Sequence, residues 1–220
     1  MKGWHLFMAS SNGSLTVETF NRLRSDIIQG NIRPNERLIA ADLAAAFNIS
    51  RTPIREALQL LEAEDLVVAV KRGYVVREHS RDEIREIYEV RAALEGMAAR
   101  LVAEHKGLSA VRTIEAVGAH KDEIGKTKDK SRVVDLNTQF HAAIFVACGN
   151  ERLARMNRSN SQHFFNYRIA ELYTNDEQMA SIREHARIIK AIRAHDGDAA
   201  ETAAREHVLN GLKVTLSKLR

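Results

Sequence analysis

Three observations on the sequence predict a mainly α-helical protein. Its 220 residues include only two prolines, Pro34 and Pro53, so most of the chain lacks the residue that breaks helices. Apolar residues recur at three- and four-residue spacing over long stretches. Aromatic residues make up 5% of the chain, while alanine, leucine, glutamate and arginine are frequent, a balance that favours helix over sheet. With 45% hydrophobic and 28% charged residues, the chain reads as globular and has room for two modest domains. No apolar run is long enough to cross a bilayer, and the apolar run in MKGWHLFMASSNG is too short for a signal peptide. The expectation is a flexible tail over residues 1–13 and a cytoplasmic location. A single cysteine, Cys148, excludes an internal disulfide and fits a reducing cytosol. Its apolar setting, AIFVACGN, marks a buried structural thiol.

The first predicted domain spans residues 14–78. Val17, Phe20, Leu23 and Ile27 have helical spacing, and Gly30 stops that helix. NIRPNER is a turn, and residues 39–47 form a short alanine-rich helix with Leu43 and Phe47 four apart. A third helix follows Asn48-Ile49-Ser50. Ser50 is placed to cap it through its hydroxyl, and Pro53 falls in the first turn, where its missing N–H does no harm. Ile54, Ala57, Leu58 and Leu61 make the buried stripe. Arg51, Thr52, Arg55 and Gln59 face the other way, at the end where the helix dipole is also positive. LVVAV and YVVR flank the basic turn Lys71-Arg72-Gly73 and predict a β-hairpin. Three helices followed by a basic hairpin is the order of a winged helix-turn-helix, whose second paired helix enters the major groove. The net charge of +4 is a weak pointer to nucleic acid, and residues 14–78 hold nine Lys/Arg against nine Asp/Glu. The case for DNA therefore rests on where Arg51, Thr52, Arg55, Lys71, Arg72 and Gly73 lie, with Arg37 as a further phosphate contact.

NIRPNERL, LAAAFNISRTPIREALQLLEAEDLV and KRGYVV together resemble the DNA-binding domain of GntR-family bacterial transcription regulators over roughly residues 15–77. Asn35 stands where that family has a turn glycine, and Asn tolerates positive φ. Ala40 stands where an acidic residue is common. The resemblance implies DNA contacts by Arg37, Ser50, Arg51, Thr52, Arg55 and the wing around Gly73.

The second predicted domain, residues 79–220, begins at Ser80-Arg-Asp-Glu83, which has capping-box spacing. Helices are expected from there to about residue 105, then over 109–125, 132–147, 150–173, 176–196 and 198–218. Lys126–Lys130 is expected to be a solvated loop, and Gly197 followed by Asp198–Glu201 to end one helix and cap the next. Six helices in this length suggest an antiparallel bundle. Arg91 falls inside the apolar stripe of Ile84, Ile87, Leu94, Ala98 and Leu101. Its partner is either Glu95, one turn on, or the carboxylate of a bound ligand. Asn137 and His141 share one helix face beside Phe140, and His185 and His207 each lie on an amphipathic helix. They read either as hydrogen-bonded core residues or as convergent ligands of a divalent metal. His105, His120, His163 and His195 lack such company.

VRAALEGMAARLVAE, NTQFHAAIFVACGN, REHARIIKAI and GDAAETAAREHV resemble the FCD domain, the all-helical effector domain of one GntR branch, over about residues 84–212. Many FCD domains bind a metal through an Asp, a His four residues later and two further histidines. The resemblance places these at Asn137, His141, His185 and His207. Asn137 for Asp removes a negative charge, so metal affinity is expected to be lower; zinc is the expected ion, with nickel or manganese as alternatives. The combined expectation is a homodimeric, non-enzymatic regulator that reads a palindromic operator and responds to a small organic acid. Arg91, Asn166, Arg168 and Asn210 are the candidate effector contacts. The alternatives are a regulator whose effector is the metal itself, a metal-dependent hydrolase using Glu95 as base, and an architectural DNA-binding protein.

Overall fold

The computed structural model describes residues 12–105, 108–118, 130–161 and 172–219. Most of the expected tail, loop residues 126–129, Asn166 and Arg168 lie outside these residues, as do His120 and His163. The chain divides into two compact units at His79 and Ser80. The elements are mostly helical, with one small antiparallel sheet.

The first unit runs α1 (Asn12–Ile28), β1 (Arg37–Leu38), α2 (Ala40–Phe47), α3 (Arg51–Ala63), β2 (Val67–Val70) and β3 (Gly73–Val76). This is a winged helix-turn-helix. Leu23, Ile27, Leu38, Phe47, Ile54, Leu58, Leu61, Leu66, Val67 and Val76 form one core. In α3 the predicted stripe of Ile54, Ala57, Leu58 and Leu61 is fully buried. In α1 Leu23 and Ile27 are buried as predicted, but the first half of the buried face lies one position off the prediction. Val17 is 54% exposed, whereas Thr16 and Thr19 are buried beside Leu23 and Ile27. The Thr16 hydroxyl donates to Glu56 Oε2 at 2.6 Å, which gives this threonine a polar partner on α3.

The hairpin forms as expected, but the sheet has a third strand, with order β1–β3–β2. Arg37 pairs with Val75, and Leu38 with Tyr74. The turn before β1 is made by Asn35 at φ 64°, with its backbone N–H on the Val76 carbonyl at 2.9 Å. Asn therefore holds the left-handed turn. Gly73 opens β3 at φ 97°, where an added Cβ would lie 2.4 Å from the Leu38 carbonyl oxygen. Gly73→Ala is expected to destabilise the protein by about 1–3 kcal/mol through backbone strain and this clash. A lower urea midpoint would show it; an unchanged midpoint would mean that β1 yields freely.

The second unit contains α4 (Arg81–His105), α5 (Leu108–Gly118), α6 (Lys130–Cys148), α7 (Glu151–Ser161), α8 (Asn175–Arg193) and α9 (Gly197–Lys218). The predicted capping box opens α4: Glu83 N–H donates to the Ser80 hydroxyl at 3.2 Å, and Ser80 N–H to Glu83 Oε2 at 2.8 Å. α4 packs along α9 and also meets α6, α7 and α8. Arg81 Nη1 donates to the carbonyls of Leu216 and Leu219 at 2.9 and 2.8 Å, satisfying groups at the end of α9. Ala98, Val102, Ile114, Phe140, Ile144, Ile188, Ile192 and Ala204 lie in the shared core, as does Cys148. The α8–α9 turn differs from the predicted one. His195 takes the left-handed conformation (φ 54°) and Asp196 caps α9 by accepting from Ala199 N–H at 2.9 Å, so Gly197 is already inside the helix. No helix among the described residues is long and apolar enough to cross a membrane.

Candidate nucleic-acid interface and metal centre

Arg51, Thr52 and Arg55 are exposed at the start of α3, and Lys71 and Arg72 are exposed at the wing tip. β1 brings Arg37 to the same tip, where its Nε donates to the Arg72 carbonyl at 2.9 Å. Ser50 has the extended backbone of a capping residue (φ −68°, ψ 162°), but its hydroxyl makes no capping bond. This departs from the role expected of its side chain. At least four of the nine acidic residues in 14–78 are engaged elsewhere. Glu56 accepts from Thr16, Glu62 from the Ala69 N–H, Glu64 pairs with Arg24 at 2.7 Å, and Asp65 pairs with Arg77. Arg51 and Arg55 have no acidic partner among the described residues. A region with equal numbers of charges thus presents a positive helix end, because Arg51 and Arg55 stand exposed at the start of α3 with no carboxylate paired to them among the described residues.

In the second unit a cavity of about 430 Å³ is lined by residues of α4, α6, α7, α8 and α9. Asn137, His141, His185 and His207 all line it, and the three histidines are buried. His207 Nε2 lies 3.2 Å from His141 Nε2 and 3.2 Å from His185 Nε2. Carboxylates stand behind two of the rings. Glu184 Oε2 is 2.8 Å from His207 Nδ1, and Glu184 Oε1 accepts from Asn210 Nδ2 at 2.8 Å. Glu95 Oε2 is 2.7 Å from His141 Nδ1; the approach is oblique, so the contact is electrostatic rather than a well-aligned hydrogen bond. The other Glu95 oxygen takes Arg91 Nε.

The electrostatics follow from this chain. Burial alone would raise the Glu95 pKa, but the Arg91 guanidinium and the His141 ring hold its carboxyl well below the usual carboxylate range. Burial pushes His141 down to about 4 despite Glu95 beside it. Burial also pushes His185 well below the ordinary histidine value, and the neighbouring histidines add to the effect. Neutral imidazoles with a carboxylate at Nδ1 carry the proton there and leave a lone pair at Nε2. The Nε2 atoms of His141 and His185 each stand 3.2 Å from that of His207, about the separation of ligand nitrogens 2.0–2.1 Å from a common ion. The donor set therefore fits a divalent metal.

Residues 86–210 match the FCD domain family, and residues 15–76 match bacterial regulatory proteins of the gntR family. The chain belongs to the GntR family, with an FCD domain. This GntR regulator is similar to the uncharacterized HTH-type transcriptional regulator YdhC of Bacillus subtilis (strain 168), at 29% identity, with 88% of this chain and 85% of that protein covered. It is also similar to the HTH-type transcriptional repressor GlaR of Escherichia coli (strain K12), at 26% identity, with 90% and 94% covered. Among solved structures it resembles E. coli McbR/YncC with a TM-score of 0.79 and 22% identity, covering 96% of this chain and 99% of that one, a likeness of fold. The GntR relatives are transcription regulators, and the FCD cavity here is read as a regulator's cavity, not an enzyme's. Among the FCD cavity residues without a sequence signal of their own are Glu184, Tyr88 and Arg158. Glu184 adjoins His185 in sequence but meets His207 from α9, so only the register of two helices reveals it.

Proposed function

We propose that this regulator reads operator DNA with the N-terminal end of α3 and the wing, and that its FCD cavity holds a divalent metal and a small organic acid. The observation that carries the DNA reading is the unpaired positive end of α3. Ser50, Arg51, Thr52 and Arg55 would meet base edges and phosphates in the major groove, and Arg37, Lys71, Arg72 and Gly73 would meet the flanking backbone. A homodimer would place two such helices on a palindromic site, and the cytoplasm is where that site would be met.

His141, His185 and His207, with the Asn137 amide oxygen, would hold the metal; zinc suits the nitrogen-rich set, with nickel or manganese as the other candidates. When bound, the ion supplies a positive, electrophilic centre to an acidic ligand. Glu95 and Glu184 orient the histidine rings, and Arg91 stands beside them. Arg91 is already paired with Glu95, so an incoming carboxylate would share or displace that partner. Asn210 lines the cavity, with its amide held by Glu184; Asn166 and Arg168, the other acid contacts proposed from the sequence, lie outside the described residues. An acid bound better in one arrangement of the helices shifts the population toward it, and that shift alters operator affinity.

The test begins with an operator selected by the wild-type protein from random duplexes. Arg51→Ala is expected to weaken binding to it by about 5- to 150-fold, the worth of one bidentate arginine–guanine contact. The unfolding midpoint should stay where it was, because Arg51 is exposed. Unchanged operator affinity in a fluorescence anisotropy titration would overturn the assignment.

A further inference from the structure

We propose that the cavity contains a second anion-binding point at Arg158, so that the ligand it selects is a diacid rather than a monoacid. The proposal rests on the reading of this cavity as an organic-acid site and adds the ligand's second charge.

The argument starts from the charged groups that line the cavity: Arg91, Arg158, Glu95, Glu177 and Glu184. Four of the five are committed within the protein. Glu95 bridges Arg91 and His141. Glu184 holds His207 and Asn210. Glu177 closes the capping box of α8 with Thr174 and meets Lys218 Nζ at 3.0 Å. Arg158, an exposed residue at the cavity's edge, is the exception: among the described residues its guanidinium has neither an ion pair nor a hydrogen bond. A planar fork of donors on the wall of a cavity, with no internal partner, suits a carboxylate brought by the ligand.

The backbone of Arg158 is held in place by its helix. It lies near the end of α7, two residues before Asn160, whose Nδ2 donates to the Ile87 carbonyl of α4 at 2.9 Å. Leu153 and Ala154, one turn before, pack against the core of the unit. The wall that carries Arg158 is separate from α6, α8 and α9, which carry the histidines. The ligand would therefore meet two points that can take an anion, on different walls: the proposed metal with Arg91 beside it, and Arg158. Size agrees with this: the cavity of about 430 Å³ lies within the range of drug-sized ligand pockets, about 300–1,000 Å³, and exceeds what a short monoacid fills.

The test measures binding of chain-length-matched pairs to the full-length protein by calorimetry: butyrate and succinate, pentanoate and glutarate, hexanoate and adipate. At one chain length the diacid is expected to bind on the order of tenfold more tightly than its monoacid, the worth of one charge-assisted contact. In Arg158→Gln that margin should vanish, with monoacid affinity held within about twofold; Arg158→Lys should recover part of it. Equal binding of monoacid and diacid at every length would overturn the second anion point while leaving the acid reading intact. A margin that survives in Arg158→Gln, or a loss of both acids in that variant, would also overturn it. If no acid of either kind binds, the acid reading of the cavity falls and this inference falls with it.

Discussion

His185→Ala is expected to reduce the metal content of the purified protein from about one divalent ion per chain to nearly none. Of the three histidines this is the cleanest to remove. His141→Ala would leave Glu95 without one partner, and His207→Ala would do the same to Glu184, whereas His185 stacks on Phe140 with a ring separation of 4.0 Å and no carboxylate beside it among the described residues. Metal that binds only the folded state adds to its stability, by about 2.7 kcal/mol when free metal exceeds its dissociation constant a hundredfold. The variant should therefore melt below the wild type in metal-containing buffer, and the gap should narrow when both are stripped with a chelator. Elemental analysis decides the matter: full metal content in the variant would sink the three-histidine assignment. Asn137→Asp should act in the opposite direction, because a carboxylate oxygen binds a cation more strongly than a neutral amide oxygen.

The second large effect is expected at Glu95. This carboxylate is 4% exposed and lies between the Arg91 guanidinium and the His141 ring. Glu95→Ala would leave Arg91 largely buried and without its partner, a change of about 3–5 kcal/mol in comparable buried pairs. The double variant Arg91→Met/Glu95→Leu should recover most of that loss, since it removes both charges and keeps the volume. Denaturant unfolding of the three proteins measures the coupling directly. A cost below about 1 kcal/mol for Glu95→Ala would show that water reaches and solvates Arg91. The pair's dependence on pH has a definite sign. A carboxylate held below its unfolded value stabilises the fold above about pH 4.3, and that contribution fades only as the pH falls toward the folded value. Between neutrality and pH 5 the pair should contribute a constant amount.

Much of the framework was legible from local chemistry. α3 announced itself because a stripe at i, i+3, i+4 and i+7 followed a serine and a first-turn proline, and those four apolar residues are fully buried. The three histidines are legible because each lies within an otherwise amphipathic helix, with Asn137 one turn before the first. What escaped was set by contacts between distant segments. β1 is two residues long and is a strand only because β3 lies beside it. The first turn of α1 departs from the predicted stripe because Thr16 turns inward and bonds to Glu56, forty residues away, while Val17 turns outward. The Ser50 hydroxyl was given a capping bond that the geometry does not make. Glu184 and Arg158 acquire their places from helix register, which no spacing rule in a single helix encodes.

The Gly73 close approach and the bond from Arg37 to the Arg72 carbonyl together stitch the wing tip to β1. A loop pinned at both its carbonyl and its turn glycine has little conformational freedom left to surrender when it is captured by a partner. Its encounter is therefore rigid docking rather than folding on contact. Association should show a small heat-capacity change, proportional to the surface covered, without the large ordering signature of a segment that takes shape only in the complex.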